Sequence, residues 1–291
     1  MSTALHPAST AGTRTVTTRR VGFDHDDVGA DRHFVDHDLL SSHILAVLSA
    51  IIPPGERFFA DTGRRFRSEL EGPLRDQVNG FIGQERVHQR EHQRFNETLA
   101  RLGYPTAIID RASALTFAVA DRFPARLQIS MTAAIEHWTA VIAEAALASD
   151  QLGGWETSAE TSSFLAWHMV EELEHRAVAF DIMQGAGVGE VERIAAMRVA
   201  TALLAPAVVG GLLLSLALDR DTWNPFRVRR SLRHLRRSAF VRPSVLRDLL
   251  RYNRRGFHPD ERDVDDLLAE WRSKLFGADG LVTVVGPAHA S

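Results

Sequence analysis

The sequence predicts an all-α protein, a four-helix bundle with additional C-terminal helices. Ala, Leu, Arg and Glu dominate a chain that has few aromatic residues and few β-branched runs, which favours helix over strand. Apolar residues recur at helical spacing over several long stretches, and Pro and Gly residues fall between them, where helices end. Because 45% of the 291 residues are apolar, the chain can bury one large core.

The chain divides into three predicted parts. Residues 1–37 carry little periodicity, and we expect them to be mostly extended or disordered. Residues 38–185 hold the four helices of a metal-binding bundle. Residues 186–291 form a C-terminal helical extension that packs on the bundle.

Four long helices make up the predicted bundle. The first begins at Asp38, and Pro53-Pro54-Gly55 is expected to break or kink it before it resumes. The other three span residues 73–102, 125–149 and 157–183. Helices of this length with short or moderate connections favour an antiparallel bundle.

The composition excludes several kinds of site. The chain contains no cysteine, so disulfides, thiolate zinc sites and cysteine nucleophiles are ruled out. Its 13 histidines could supply nitrogen ligands, which together with carboxylates suit iron, manganese or zinc. The formal net charge of −3 gives no electrostatic reason to expect nucleic-acid binding. The N-terminal stretch lacks an apolar core of signal-peptide length, so a cytoplasmic protein is expected.

Two Glu-x-x-His motifs carry the predicted chemistry. They are Glu85-x-x-His88 on the second helix and Glu172-x-x-His175 on the fourth. Residues three apart lie on one helix face, so the carboxylate and the imidazole of each motif can hold the same metal ion. A pair of such helices can bind two ions, and we predict two metal ions, iron first, with manganese or zinc as alternatives.

Three further residues complete the predicted ligand set. Glu136 lies in an apolar run of the third helix, where a lone buried carboxylate would be costly without a cation. Glu56 follows Pro-Pro-Gly in the first helix, which leaves its orientation open. His168 precedes Glu172 by four residues and adds a third imidazole to the same face.

Other residues near the motifs are expected to do less. We expect His92 to support the ligands rather than to bind metal, although the sequence leaves this open. Glu171 and Glu174 are expected on the polar side of the fourth helix.

Longer strings around these motifs resemble known families. The order of the acidic and histidine residues resembles the ferritin-like di-metal carboxylate superfamily. The strings PPGERFF, QERVHQREH, WHMVEELEHRAVAFD and GFHP are more narrowly similar to a bacterial family called "predicted metal-dependent hydrolase", over residues 21–276. The string His168-x-x-x-Glu172-x-x-His175 also resembles the di-iron N-oxygenases that oxidise aryl amines, such as p-aminobenzoate N-oxygenase. That resemblance implies that His168 is a metal ligand.

The predicted function is an enzyme that activates O₂ to oxidise a small hydrophobic or aromatic substrate. Nitrogen and oxygen ligands in an apolar helical surround favour this chemistry. The alternatives are a hydrolase that uses a metal-bound hydroxide, and a metal-stabilised binding or structural bundle. The electron donor and the oligomeric state stay open, a homodimer included. The predicted metal ligands are Glu56, Glu85, His88, Glu136, His168, Glu172 and His175.

A long apolar run after the bundle has two interpretations. Residues 199–218 are free of charge over about the length that spans a bilayer, and the basic string RVRRSLRHLRR follows. We favour a buried helix that covers the bundle and walls a hydrophobic pocket, because Arg198 interrupts the pattern. The other interpretation is a membrane-associated protein with peripheral contact through residues 199–238, with the arginines on the cytoplasmic side.

Overall fold

The computed structural model describes residues 15–28, 31–149 and 155–284. Every secondary-structure element in this part of the chain is an α-helix or a 3₁₀-helix. The all-α fold class is confirmed. The α-helices are α1 Leu39–Phe66, α2 Gly72–Arg101, α3 Thr106–Ala120, α4 Ala125–Ala148, α5 Ala159–His175, α6 Val178–Gly185, α7 Glu190–Ala217, α8 Pro225–Leu235, α9 Pro243–Arg251 and α10 Asp265–Phe276. Short 3₁₀ turns occupy His25–Val28, Arg67–Glu69, Arg220–Trp223, Ala239–Val241 and Pro259–Glu261.

The helices α1, α2, α4 and α5 form the bundle, with α6 continuing α5. Two apolar clusters fill it. One contains Phe81 and the other contains Phe95 and Trp167. Because Glu85, His88 and His92 lie between Phe81 and Phe95 on α2, the polar face of that helix is enclosed between two apolar layers.

Of the predicted break or kink at Pro53 and Pro54, a break does not occur, because α1 runs through both prolines. A proline inside a helix has no N–H, so the carbonyl four residues earlier loses its usual hydrogen-bond donor. For Pro53, that carbonyl belongs to Ser49. The Asn96 side chain on α2 donates a hydrogen bond to that carbonyl at 2.9 Å. A tertiary contact therefore replaces the hydrogen bond that the proline removes.

The predicted fourth helix is divided into two. The helix α5 ends at His175, and α6 begins at Val178. At the break, the Arg176 guanidinium donates to the carbonyl of Arg262 at 2.7 Å and pairs with Asp260 at 3.4 Å. The C-terminal segment is thus anchored where α5 ends.

The described part of the N-terminal segment packs against the bundle. Residues 15–23 form no helix, and Val16, Val21 and Phe23 are buried. The segment crosses α2 at Gly80 and Gly83, where an added methyl group would overlap Val16 or Thr18. The described segment therefore contacts α2 at these two glycines. Within residues 1–37, residues 1–14 and 29–30 lie outside the described part of the chain.

Two described helices are long and apolar enough to cross a membrane, and they differ in burial. In α1 the most apolar window is 61% buried, as in the core helix of a globular protein. In α7 the corresponding share is 22%, although this helix packs on α4 and α1. The expectation of a fully buried helix is therefore wrong, because only the inner face of α7, which includes Leu204 and Gly211, is covered.

Candidate metal centre

Four bundle helices deliver the predicted ligands to one buried region. The helix α1 carries one of them, α2 carries two, α4 carries one and α5 carries three, which face inward at helical spacing. All seven side chains are buried. They are Glu56, Glu85, His88, Glu136, His168, Glu172 and His175.

Six of these residues form two overlapping groups, each with four donor atoms within 4.8 Å of one another. The groups share His88 and Glu172. We call the group that borders a neighbouring apolar cavity the open group, and the other one the closed group. The open group is Glu56, His88, His168 and Glu172, and the closed group is Glu85, His88, Glu172 and His175.

The spacing of the donor atoms suits metal ions. His88 Nδ1 lies 3.6 Å from Oε1 of both Glu56 and Glu172. His175 Nε2 lies 3.4 Å from Glu85 Oε1 and 3.7 Å from Glu172 Oε1. These separations are too long for good hydrogen bonds. Two ligand atoms that each bind one ion at about 2.1 Å lie roughly 3–4 Å apart, as these atoms do.

Glu136 is the predicted ligand that the structure keeps outside both groups. Its Oε2 accepts a hydrogen bond from His175 Nδ1 at 2.8 Å. This contact turns His175 Nε2 towards Glu85 and Glu172. In this structure Glu136 therefore orients a candidate ligand, and its second oxygen is buried without a hydrogen bond from any described residue.

Hydrogen bonding within the described residues leaves much of the cluster unsatisfied. Buried polar atoms in proteins nearly always have partners, because leaving one unpaired costs about 1–3 kcal/mol. Here the unpartnered atoms converge from all four helices, which fits a site that holds cations. They are both carboxylate oxygens of Glu56 and of Glu85, His88 Nδ1, Glu136 Oε1, Glu172 Oε2 and His175 Nε2.

Electrostatics lead to the same conclusion. Burial and the neighbouring carboxylates raise the pKa of Glu56 and of Glu85 well above the usual value. Burial also raises the pKa of Glu136 to about 7. With Glu172, four carboxylates are thus crowded into a region of low dielectric, where their mutual repulsion is strong. Two divalent cations would balance these four charges, so the residues fit a pair of metal ions.

A buried ion pair orients His88. Its Nε2 donates to Glu171 Oε2 at 3.0 Å, and Arg19 donates to Glu171 Oε1 at 2.8 Å. Fixing Nε2 as the donor leaves the lone pair of Nδ1 directed at the carboxylates, as in the carboxylate–histidine pairs that support metal sites. Glu174 binds Arg19 at 2.6 Å and Arg272 at 2.7 Å.

The prediction that Glu171 and Glu174 lie on a polar, solvated side of their helix is therefore wrong. Both are buried. The reason is that the N-terminal segment and α10 cover this side of α5 and bring Arg19 and Arg272 with them.

A chain of hydrogen bonds orients His168. The Asn96 amide donates to the Ser49 carbonyl, so its Oδ1 must be the atom that accepts from the Ser49 hydroxyl at 2.7 Å. The Ser49 oxygen then accepts from His92 Nδ1 at 2.9 Å. Burial lowers the pKa of His92 well below the usual value, so its ring is neutral and Nε2 accepts from His168 Nδ1. His168 Nε2 is left facing Glu172 Oε1 at 2.9 Å.

A largely apolar cavity of about 220 Å³ adjoins the open group. Its walls come from α1, α2, α3, α4, α5 and α7, and the candidate ligands Glu56, His168 and Glu172 line it. His168 and Glu172 are 8% and 5% exposed, more than any other predicted ligand. Trp138 is half-buried in the cavity wall, whereas Trp167 packs in the core against His88. The open group is therefore the part of the cluster that borders the cavity.

Sequence reasoning missed three residues that position the ligands. Arg19 lies in a segment without periodicity, and Ser49 and Asn96 resemble ordinary helix residues. Pro53 is the signal that could have pointed to Ser49 and Asn96. If a helix continues through Pro53, the carbonyl of Ser49 needs a donor from another helix, and Asn96 supplies it.

A third group of possible donors was also missed. His33, His43 and Asp219 have atoms within 4.8 Å of one another. Each histidine lies 3.0 Å from Asp219 Oδ2, and the Arg32 guanidinium lies 3.3 Å from the same oxygen. The Asp219 carboxylate thus already has the Arg32 guanidinium beside it and hydrogen bonds to both histidines. We therefore regard this group as a buried ion-pair network.

Comparisons with known proteins identify the family. A family model described as "predicted metal-dependent hydrolase" matches residues 17–263, a range that includes every predicted ligand. No curated protein and no solved structure matches the chain. Since the family match covers most of the sequence and contains both buried donor groups, the chain belongs to the family of predicted metal-dependent hydrolases.

Proposed function

We propose that this protein is a two-metal hydrolase that cleaves the acyl ester of a small lipophilic substrate. The observation that carries the proposal is the apolar cavity of about 220 Å³ that ends on His168 and Glu172. A site made of nitrogen and oxygen donors at the end of an apolar cavity suits a substrate with one polar, cleavable bond and an apolar body. The family description supports the same reaction class.

The two donor groups are suited to different tasks. Divalent ions bound here would lower the pKa of a bound water and polarise the substrate carbonyl. The closed group is sealed from solvent and suits a permanently held ion. The open group faces the cavity and suits the ion that meets substrate. In the reaction, a water oxygen adds to the carbonyl carbon, the carbon–oxygen bond to the alcohol breaks, and the released proton passes to the leaving oxygen.

The residues of the cavity wall favour an alkyl or aromatic acyl group. Apart from the candidate ligands and a few uncharged polar residues, the wall is apolar. Its apolar residues include Leu48, Ile52, Trp138, Ile142 and Met169. Burying a methylene in such a wall contributes about 0.8 kcal/mol, so each added carbon that fits should raise kcat/KM by severalfold.

An assay with esters of increasing acyl length tests this proposal. The protein is stripped with a chelator, reconstituted with zinc, manganese or ferrous iron, and assayed under nitrogen with 4-nitrophenyl esters. We expect turnover that requires metal and rises with acyl length until the cavity is filled. The Glu172→Gln variant should lose about 100-fold or more, and Glu97→Gln, on the exposed side of α2, should not change. Equal rates for metal-free protein or for Glu172→Gln would overturn the proposal.

Oxidation of the same kind of substrate by O₂ is the second candidate. The observation that favours it is His168, which adds a third imidazole to the cluster beside a largely apolar cavity. The iron-loaded protein should then consume O₂ in an electrode cell only when its iron is ferrous and substrate is present. It should not turn over esters under nitrogen. A metal-stabilised structural bundle would show neither activity, while metal would still raise its melting temperature.

A further inference from the structure

The helices α3 and α7 together present an exposed apolar face. They pack side by side, and Gly211 of α7 lies close to Ile109 of α3. On the outer side of each helix, apolar residues recur every three or four positions, which places them in one stripe. The stripe on α3 is Ile108, Ala112, Leu115 and Val119, and the stripe on α7 is Ala202, Pro206, Val209 and Leu213.

Two exposed aromatic residues follow this face. Trp223 and Phe226 lie after the end of α7 and are 82% and 81% exposed. Large aromatic side chains so fully in water are uncommon on a monomeric protein and mark surfaces that bind something apolar.

An arginine-rich helix comes next. Residues 224–237, which include α8, contain six arginines and no acidic residue, and all six arginines are exposed. Arg227 pairs with Asp221. Among the described residues, no carboxylate forms an ion pair with Arg229, Arg230, Arg233, Arg236 or Arg237. This helix therefore carries uncompensated positive charge.

We propose that this surface binds an anionic lipid bilayer, with α3 and α7 in the acyl region and α8 at the headgroups. An apolar stripe followed by aromatic residues and then by arginines matches the layers of a bilayer interface. The helix α7 lies along the bilayer rather than across it, because Ala200, Leu204 and Gly211 are packed against the bundle.

A second copy of the chain would fit this surface less well. A two-fold dimer formed through the face would bring together two copies of the same uncompensated arginine-rich helix. Anionic lipid headgroups supply the opposite charge, so charge complementarity favours the membrane.

The surface also has a relation to the cavity. Leu204 and Val208 line the cavity from the inner side of α7, while Pro206 and Val209 lie on its exposed side. Only about one helix diameter, roughly 10 Å, therefore separates the lipid-facing stripe from the cavity. Resting on the proposed hydrolysis, this relation assigns a substrate class, an ester dissolved in the bilayer.

Vesicle flotation with the full chain tests the surface by itself. Vesicles of phosphatidylcholine alone are compared with vesicles that contain phosphatidylglycerol as well. We expect strong binding only to the anionic vesicles, weakened by salt. The Arg229→Gln/Arg233→Gln variant should bind about 30-fold more weakly. The matched Arg75→Gln/Arg86→Gln variant, which loses the same charge from α2, should bind as the native protein does.

The apolar contribution is tested by the Trp223→Ser/Phe226→Ser variant. Because both side chains are exposed, its melting temperature should not change, while binding to anionic vesicles should fall at least tenfold. Failure of the native protein to bind anionic vesicles would overturn the proposal. The proposal would also be overturned if the native protein were a dimer that binds no vesicles and the variant were a monomer. The face would then join two copies of the chain.

A third measurement separates this inference from the proposed function. Hydrolysis of a short, water-soluble ester is compared with hydrolysis of a long-chain ester embedded in anionic vesicles. The Trp223→Ser/Phe226→Ser variant should hydrolyse the soluble ester at the native rate and the embedded ester at least tenfold more slowly. The assigned route would be contradicted if both rates fell equally or if neither rate changed. Absence of ester turnover with intact vesicle binding would count against the proposed hydrolysis alone.

Discussion

His168 Nδ1 donates a hydrogen bond to His92 Nε2, and this contact determines which nitrogen of His168 faces Glu56 and Glu172. The direction of the bond follows from Asn96 and Ser49, which leave His92 only one nitrogen able to accept. The polar side chains behind the candidate ligands are therefore as much a part of the site as the ligands themselves.

Replacing His92 tests this relationship. His92→Phe keeps a ring of similar size but removes the acceptor, so His168 should lose its orientation. We expect metal affinity to fall about 10- to 100-fold, measured by competition with a chromophoric chelator. His92→Gln retains an acceptor and should recover part of the affinity. Unchanged affinity in His92→Phe would show that the contact has no role in metal binding.

Removing Arg19 should destabilise the fold. Arg19→Met leaves Glu171 and Glu174 buried without their shared cation, which should lower the free energy of unfolding by about 3 kcal/mol. The adjacent Arg20 is exposed, so Arg20→Met should change the free energy of unfolding by no more than about 0.5 kcal/mol. Urea denaturation of the two variants makes the comparison, and equal stability would contradict a structural role for the Arg19 ion pair.

Two glycines in helices should respond to alanine in opposite directions. At Gly80 an added methyl group would overlap the backbone of Val16, so Gly80→Ala should destabilise the protein by about 2 kcal/mol. At Gly210 nothing lies near the added methyl, so Gly210→Ala should stabilise α7 by up to about 1 kcal/mol. Thermal unfolding of both variants measures the difference. A Gly80→Ala variant as stable as the native protein, or more stable, would mean that the N-terminal segment does not lie on α2.

The Asp219 network should make stability depend on pH. Burial opposes ionisation of Asp219, but hydrogen bonds from His43, the Asp221 amide and His33 hold the pKa of its carboxyl well below the usual value. A carboxyl with a lowered pKa stabilises the folded state above its unfolded value of about 3.9, and this contribution is lost as pH falls through the folded pKa. Asp219→Asn should therefore reduce the free energy of unfolding at pH 7 by about 3 kcal/mol.

Urea denaturation at pH 7, 5 and 3 checks this dependence. The difference between native protein and Asp219→Asn should be similar at pH 7 and 5 and smaller at pH 3. A difference that stays constant down to pH 3 would show that the Asp219 charge does not stabilise the fold.

The sequence predicted those parts of the site that depend on local spacing. Glu85, His88, Glu172 and His175 share helix faces by periodicity alone, and the apolar layers around them explain why those faces turn inward. Residues whose role depends on distant contacts could not be predicted. The continuation of α1 through Pro53 depends on Asn96, which lies 47 positions from the Ser49 carbonyl that it binds.

The burial of acidic residues and of α7 was also beyond local patterns. Glu171 is buried because Arg19, from a segment without periodicity, lies against it. In α7 both faces are apolar, so periodicity cannot tell which face packs on the bundle and which stays exposed. Exposure of Val209 and Leu213 follows only from the packing of the neighbouring helices.

If the two buried donor groups hold two metal ions, anomalous diffraction from crystals of metal-loaded protein, recorded on both sides of the absorption edge of the metal, should locate both. We expect two peaks, one among Glu56, His88, His168 and Glu172 and one among Glu85, His88, Glu172 and His175. Crystals that show no peak within these groups, or whose metal lies only at His33, His43 and Asp219, would contradict this expectation.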